Sequence, residues 1–211
     1  MTEHSAPPVS LRSRHTDETR RALIKAARKL FSAQGYHNVG IREFAKEAGV
    51  TRGAFYHHFE CKEDLLLAVM DDMQLELKNH AARRHRSPIR PDRWTQLRED
   101  LQIALDEMMA PEVLQILLID GPAVLGWSRW REHRQGFGLA AIRKAVEASI
   151  ADGLITPRPA TELAHLISAS FNEASLLIAY ASDPDTARVS AGNALDALLE
   201  GLLADKATSL S

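Results

Sequence analysis

The stretch GYHNVGIREFAKEAGVTRGAFYHHF, residues 35–59, decides the fold of this chain. Apolar residues recur along 41–48 at the three-and-four spacing of one buried helix face. Gly49 follows where a helix can end in a left-handed residue, and Thr51 is a good N-cap for a second helix. The pattern therefore predicts two short helices, 41–48 and 52–59, joined by a tight turn.

Two helices joined in this way are typical of a helix-turn-helix, whose second helix enters the major groove of DNA. The alternative is a helical hairpin that belongs to a bundle and binds no nucleic acid. Short helical corners of that kind are common, so the spacing alone leaves both interpretations open.

The residues of this stretch resemble the DNA-binding domain of the TetR family of bacterial transcriptional regulators. The family signature runs from a phenylalanine and a glycine through an IAxxAGV-like turn to a YxxF and a KxxL. The matching residues here are Phe31, Gly35, residues 44–50, Tyr56 to Phe59 and Lys62 to Leu65. The resemblance implies an all-α fold, with an N-terminal three-helix DNA-binding domain and a C-terminal helical bundle for ligand binding and dimerisation.

The resemblance also implies where DNA is contacted. On the second helix and at the start of the next one, relatives contact base edges and phosphates, and a glycine at position 53 lets the helix approach closely. The predicted DNA-binding residues are Gly40, Thr51, Arg52, Gly53, Tyr56, His57 and Lys62. Gly40 departs from the family, which commonly has a threonine holding a phosphate there, so this contact is either lost or made by a backbone amide.

Composition and charge limit the possible classes of protein. No apolar run in the 211 residues reaches the roughly 18 residues of a membrane helix. Residues 1–15 are polar and lack the apolar core of a signal peptide, so they are predicted to be a disordered arm of a protein in the bacterial cytoplasm. The single cysteine, Cys61, excludes an internal disulfide and a multi-cysteine metal site, and its redox role stays open.

The charges are unevenly distributed along the chain. Residues 1–87 carry 15 Lys and Arg against 11 Asp and Glu, a net charge of +4, whereas residues 88–211 carry 11 against 17, a net charge of −6. A basic N-terminal part on an acidic body suits binding to DNA phosphates through one end only.

Helices are predicted throughout, with no strand pattern. The first runs over 17–33 with Thr16 as a possible cap, and a helix over 62–84 could bridge two domains. The predicted parts are a disordered arm (1–15), the helix-turn-helix domain (16–61), a connecting helix (62–87) and an effector-binding and dimerisation domain (88–211), with the breaker run 86–91 at the boundary. Further helices are expected at 92–109, 111–119, 123–151, 160–181 and 184–206, with a break at 120–122.

The last two helices are too apolar to be single surface helices. They are expected to pack against their own domain and against the same pair of a second subunit. The predicted dimer-interface residues are Leu163, Ile167, Leu195, Leu198, Leu199 and Leu202.

No enzyme motif is found, and neither a metal site nor a cofactor is expected. A polar stripe with Asn172 at its centre is either a seam at an interface or solvent, or a set of polar handles in a ligand cavity. The predicted pocket residues are Trp94, Met108, Trp127, Trp130, His133, Phe137, Phe171, Asn172 and Glu173. They suit an apolar or aromatic effector, although the large side chains are alternatively simple core.

These features predict a homodimeric transcriptional regulator that binds a palindromic operator in double-stranded DNA. A repressor released by an unknown small-molecule effector is favoured over an activator. The alternative from another class is a helical small-molecule receptor or enzyme whose helix-turn-helix is vestigial.

Overall fold

The structure, a computed structural model, describes residues 11–84 and 92–204, with side chains at 16–80, 92–134 and 138–204. Within these residues the chain consists of helices joined by turns and loops, with one isolated β-bridge between Ile155 and Leu203. It forms two compact units, which divide between Asp72 and Met73. The predicted boundary at 86–91 lies outside the described residues.

The first unit contains three helices and the beginning of a fourth. These are α1 (Leu11–Gln34), α2 (Ile41–Glu47), α3 (Arg52–His58) and α4 (Lys62–Arg84). The structure corrects the predicted start of the first helix, because α1 already begins at Leu11 and Thr16 lies inside it instead of capping it. Residues 11–15 therefore belong to α1 and not to an arm. Neither Pro nor Gly occurs between Leu11 and Gln34, so nothing in the sequence interrupts the helix there.

The turn between α2 and α3 has the predicted geometry. Gly49 has a φ of 69°, and the amide of Val50 donates to the carbonyl of Ala45 at 2.9 Å. Thr51 caps α3, since its hydroxyl oxygen accepts a hydrogen bond from the amide of Ala54 at 3.1 Å. The glycine can take this left-handed conformation without a steric penalty from a Cβ.

Aromatic side chains hold the first unit together. Phe31 of α1 and Phe44 of α2 are fully buried, with ring centroids 5.1 Å apart in an edge-to-face arrangement. Phe55 of α3 is buried as well. Buried aromatic pairs of this kind add about 0.5–1.5 kcal/mol beyond their area burial, so this contact helps to hold α2 against α1.

The second unit is a bundle that includes the later part of α4. Its other helices are α5 (Arg93–Met108), α6 (Pro111–Val113), a π-helical stretch (Leu114–Asp120), α7 (Gly121–Leu125), α8 (Trp127–Ala151), α9 (Ala160–Ala179) and α10 (Pro184–Glu200). Apolar side chains from α5, α8, α9 and α10 form the core. The side chain of Asp92 caps α5 by accepting hydrogen bonds from the amides of Trp94 and Thr95.

Three predicted helix limits of this unit are wrong. The segment after Pro111 continues through 120–122, because Pro122 lies in the first turn of α7, where a missing amide costs nothing. The break falls instead at Gly126, whose φ is 74°. The last helix ends at Glu200 and not at 206, because the chain turns so that Leu203 pairs with Ile155.

Among the described helices, no single one is long and apolar enough to cross a membrane. One pair, Arg93–Met108 with Pro111–Leu125, meets the length and composition test together but is bent by 84°.

Candidate nucleic-acid interface and effector cavity

The outer face of α3 is polar and exposed. Arg52, Gly53, Tyr56 and His57 are all exposed, whereas Phe55 is buried, so the helix separates a core face from a free face. A Cβ built at Gly53 would meet only the hydroxyl of Thr51, at 3.8 Å. The interior of the protein thus does not require a glycine there, which leaves close approach of an outside surface as a reason for it.

Arg52 and Tyr56 contact each other on this free face, and we call this pair the predicted recognition surface. Arg52 Nη2 donates a hydrogen bond to the hydroxyl oxygen of Tyr56 at 3.2 Å, and its guanidinium carbon lies 5.5 Å from the centroid of that ring. Residues four apart lie on the same side of a helix. The tyrosine therefore orients the guanidinium, while its own hydroxyl proton stays available to an outside acceptor.

Gly40 is the N-cap of α2, and its backbone amide is already used. It donates to the Glu43 carboxylate at 3.0 Å, which supplies half of a capping box. The predicted contact of this amide with a phosphate would have to replace that hydrogen bond. A Cβ at position 40 would lie 2.8 Å from Glu43 Oε2, so the glycine also makes room for the carboxylate.

Lys62 has a structural contact that the sequence did not show. Its ammonium donates a hydrogen bond to the backbone carbonyl of Tyr36 and lies 4.0 Å from the centroid of the Tyr36 ring. The lysine thus joins the start of α4 to the loop after α1, in addition to any phosphate that it contacts.

Arg20 and His58 add to the electrostatics of this unit. The guanidinium carbon of Arg20 lies 4.6 Å from the centroid of the Phe59 ring. The pKa of His58 is lowered from its ordinary value, first by burial and then by the nearby His57 and Arg20 charges, while Asp17 acts in the opposite direction. His58 is therefore neutral near pH 7, and Arg20 keeps a fixed positive charge beside α3.

A cavity of about 410 Å³ lies between α8 and α9 in the second unit. We call it the α8–α9 cavity. Its lining includes four of the predicted pocket residues and four others: Trp127, Trp130, Asn172 and Glu173, then Arg131, Leu166, Ala169 and Ser170. The two indole rings are 5.0 Å apart, and Trp130 Nε1 donates to the carbonyl of Leu117 at 2.7 Å, which fixes its position.

The other predicted pocket residues lie elsewhere. Trp94 and Met108 are buried, Trp94 in the core with its indole N–H donating to the carbonyl of Leu199 at 3.3 Å, so neither lines the α8–α9 cavity. Phe171 is partly buried against the core. His133 shares a hydrogen bond of 3.1 Å with Gln74 of α4. The side chain of Phe137 lies outside the described residues.

Sequence reasoning missed Arg134 and Gln74. Arg134 donates from Nε and Nη2 to the side-chain oxygen of Asn172, at 3.3 and 3.2 Å, directly beside the α8–α9 cavity. Gln74 is buried and contacts His133. Gln74 could have been found from the sequence, because it is a polar residue at a position where the helix period places apolar ones. Arg134 gave no such signal, because it follows Arg129 and Arg131 and resembles part of a solvated charged face.

Most of the predicted dimer-interface residues lie in the core of the second unit. Leu163, Ile167, Leu195 and Leu199 are buried in the core of their own subunit, and Leu202 is partly buried against it. Leu198 is exposed as predicted, with 63% of its surface accessible. Other large apolar side chains of this region are exposed, and we call this set the exposed apolar face: Leu166 and Leu177 of α9, Tyr180 directly after α9, and Val189 and Leu198 of α10.

A free polar helix behind a glycine turn, supported by a three-helix aromatic core, defines the class of helix-turn-helix DNA-binding proteins. Comparisons with known proteins specify the family. Residues 23–69 match the family model "Bacterial regulatory proteins, tetR family", and residues 94–202 match "Tetracyclin repressor-like, C-terminal domain". The chain belongs to the TetR family of transcriptional regulators, which are DNA-binding regulators and not enzymes.

Individual relatives agree with this family. A TetR-family regulator from Pectobacterium atrosepticum has a TM-score of 0.79 and 30% identity, over 90% of this chain and 96% of that one. The regulator SrpR of Pseudomonas putida is 44% identical over 29% of each chain. The regulator AcrR of Shigella flexneri is 46% identical over 26% of this chain and 25% of its own. This chain thus spans only 29% and 25% of the length of these two curated relatives. The predictions of family, all-α fold and regulatory class are confirmed.

Proposed function

We propose that this chain is a homodimeric repressor of the bacterial cytoplasm that binds a palindromic operator and leaves it when a small molecule occupies the second unit. The single observation that carries DNA binding is the free face of α3, where Arg52 and Tyr56 form a hydrogen-bonded pair exposed to solvent. A guanidinium presented in this way can bind the O6 and N7 atoms of guanine together.

Contacts with DNA phosphates are proposed beside the recognition surface. Thr51 and His57 are exposed at the beginning and near the end of α3, and Lys62 follows at the start of α4. Lys62 contributes a positive charge close to the recognition surface even though its ammonium also binds Tyr36. Such contacts fix the position of the protein on the duplex and make affinity depend on salt.

The exposed apolar face is the proposed dimer interface. Its members lie on α9 and α10, which pack against each other, and at the C-terminal end of α9, where Tyr180 follows; Leu166 and Tyr180 are each 65% exposed. Large apolar side chains that are exposed on a monomer surface mark an interface where they lie together. A two-fold dimer brings two α3 helices to DNA, so the operator is palindromic with half-sites about one helical turn apart or a multiple of it.

The α8–α9 cavity is the proposed effector site. Trp127 and Trp130 provide apolar walls and Asn172 a polar group, which is the usual composition of a small-molecule pocket. Leu166 belongs both to the lining and to the exposed apolar face, so a second subunit on that face would cover the mouth of the cavity. A bound molecule would then be sensed at the dimer interface.

Release from DNA follows from differential affinity. The effector shifts the equilibrium only by the difference between its affinities for the DNA-binding and the released form, and tenfold release requires about 1.4 kcal/mol. The hydrogen bond between Gln74 and His133 ties α4 to α8, whose first turns line the cavity. A shift of α8 would therefore act on the part of α4 that contains Gln74.

A binding assay with DNA from upstream of the gene of this protein tests the proposal. A duplex containing the palindrome should bind the parent protein with nanomolar affinity and lose it when either half-site is scrambled. If no upstream or selected sequence is bound more tightly than random DNA, the alternative of a helical small-molecule receptor with a vestigial helix-turn-helix replaces this function.

A further inference from the structure

The guanidinium of Arg134 is a cation without a carboxylate partner in the part of the chain that the structure describes. Its hydrogen bonds both go to one neutral acceptor, the side-chain oxygen of Asn172, and the guanidinium carbon lies 5.6 Å from the centroid of the Trp130 ring. Arginines in protein interiors are normally paired with an acid, because taking a charge out of water is costly. This one is paired with an amide and an indole.

The surroundings of Arg134 are dense although part of its side chain is accessible. Burial lowers the pKa of Arg134 to about 10, and no acidic group acts against this effect. The guanidinium is still protonated at neutral pH, so its positive charge is present and poorly solvated. Other arginines of the unit differ: Arg98 contacts Asp196 and Glu200, and Arg188 contacts Asp106.

Asn172 connects this charge to the α8–α9 cavity. It is buried, it lines the cavity, and its oxygen is taken by Arg134. Its Nδ2 group makes no hydrogen bond within the described residues and is not among the fully enclosed polar atoms. Two amide protons are therefore available toward the cavity, polarised by the guanidinium behind them.

The remaining charges at the cavity offset each other. Arg131 and Glu173 both line it and both are exposed, so they carry one positive and one negative charge screened by solvent. Arg134 is thus the uncompensated charge beside the cavity. The apolar part of the lining, Trp127 and Trp130, suits a flat ring.

We propose that the effector of this protein is an aromatic or flat apolar carboxylate, whose carboxylate is bound by the Asn172 amide and the Arg134 guanidinium and whose ring lies against Trp127 and Trp130. This inference rests on the proposed function of the α8–α9 cavity as the effector site. The carboxylate supplies the negatively charged partner that the Arg134 guanidinium does not have within the described residues. Binding therefore offsets the cost of partly burying the guanidinium, and it favours acids over neutral analogues.

Matched acid and amide probes test the proposal on the full chain. Benzoate and 1-naphthoate are compared with benzamide and 1-naphthamide by calorimetric titration. We expect at least one acid to bind about tenfold more tightly than its amide, because a hydrogen bond to a charged group is stronger than a neutral one. Equal affinities within each pair, or no binding of either acid, would overturn the proposal.

Single substitutions test which residues cause the preference for the acid over its amide. Arg134→Gln should abolish the preference for the acid, and Asn172→Leu should weaken it. Arg143→Gln is the control, because Arg143 is an exposed arginine of the same helix that pairs with Glu147. A preference for the acid that survives in Arg134→Gln contradicts the assignment.

Thermal unfolding of the unliganded protein provides a measurement that needs no ligand. Replacing an unpaired cation by an apolar side chain of similar length removes a desolvation cost, so Arg134→Met should unfold at the same or a higher temperature. A decrease of more than about 4 °C, near 1–2 kcal/mol for a chain of this size, would show that the fold itself requires the guanidinium and would overturn the proposal.

Operator binding separates this inference from the function on which it rests. Arg134→Gln should bind operator like the parent without probe, and the acid should weaken operator binding by the parent only. If the parent binds the acid selectively but binds no operator, the proposed function fails and the carboxylate site stands. If the parent binds operator but shows no preference for the acid, the carboxylate site fails and the proposed function stands.

Discussion

Arg52 and Tyr56 are joined across one turn of α3 by a hydrogen bond of 3.2 Å from the guanidinium to the phenolic oxygen. Both side chains are exposed on the free face of the helix, and the Tyr56 ring also lies edge-on to the buried Phe55 ring, with centroids 5.3 Å apart. Their contact orients the arginine before DNA is bound, which reduces the conformational entropy lost on binding.

The first prediction concerns this pair. Arg52→Ala should weaken operator binding by about 1–3 kcal/mol and relax the preference for one base pair in each half-site, because a bidentate guanine contact is lost. Tyr56→Phe should cost less, about 0.5–1.5 kcal/mol, since only the hydroxyl is removed. Fluorescence anisotropy with a labelled operator measures both, and Arg143→Ala is the control. Parent-like affinity in both variants would exclude α3 as the recognition helix.

The second prediction uses two glycines of the helix-turn-helix. Gly49→Ala should lower the free energy of unfolding by about 1 kcal/mol, because alanine is strained at a φ of 69°. Gly53→Ala should leave stability unchanged or raise it by up to about 1 kcal/mol through helix propensity, yet weaken operator binding by steric contact with the DNA backbone. Urea denaturation and anisotropy distinguish the two effects. Undiminished operator affinity in Gly53→Ala would show that the helix does not approach DNA closely.

The third prediction concerns assembly. Leu177→Glu and Leu198→Glu should each convert the dimer to a monomer at micromolar concentration, because they place a charge in the exposed apolar face. Leu75→Glu is the matched control, as Leu75 of α4 is 51% exposed but lies outside that face. Sedimentation velocity gives the masses. A parent that is itself monomeric, or dimers that persist in both variants, would refute the interface.

The fourth prediction separates the two contacts of Lys62. Lys62→Met should reduce the slope of log affinity against log salt by about 1 unit, as expected for one lost phosphate contact. It should also lower the unfolding temperature, because the ammonium no longer binds the Tyr36 carbonyl. Lys144→Met, a change of an exposed lysine in the second unit, should alter neither quantity. An unchanged salt slope with lower stability would leave Lys62 only its structural role.

The fifth prediction follows from the lowered pKa of His58. The unfolded chain binds the proton more tightly than the folded protein, so stability decreases as pH falls from the ordinary histidine value of about 6.5 toward the lower folded pKa. Above that window both states are neutral at this residue and it contributes nothing. Unfolding at pH 7.5 and 5.5 should show a smaller loss for His58→Asn than for the parent. An equal loss would assign the pH dependence to other groups.

The sequence by itself determined the helix-turn-helix formed by α2 and α3. The helix period, Gly49 and Thr51 predicted the turn between α2 and α3, and the structure shows that geometry with Thr51 capping the helix. These features are local, because a left-handed residue and an N-cap are set by neighbours within four positions. The start of α4 at Lys62 was predicted for the same reason.

Tertiary structure decided which apolar faces are free. The period identified α9 and α10 as apolar but could not tell Leu195, which lies in the core, from Leu198, which is exposed. Helices that are apolar on several sides have no unique orientation until their neighbours are placed. The break at Gly126 instead of 120–122 also depended on context, since proline is tolerated in the first turn of a helix.

The charge beside the cavity was likewise a tertiary property. Arg134 is one of several arginines in its segment, and only the packing of α8 against α9 brings it to Asn172 and partly buries it. The sequence shows that residue 134 is basic. Its exposure to solvent and its hydrogen-bond partner depend on helices that are distant along the chain. The helix-turn-helix could therefore be predicted from local sequence chemistry. The exposed apolar face and the chemistry of the α8–α9 cavity were decided by packing between helices that are distant along the chain.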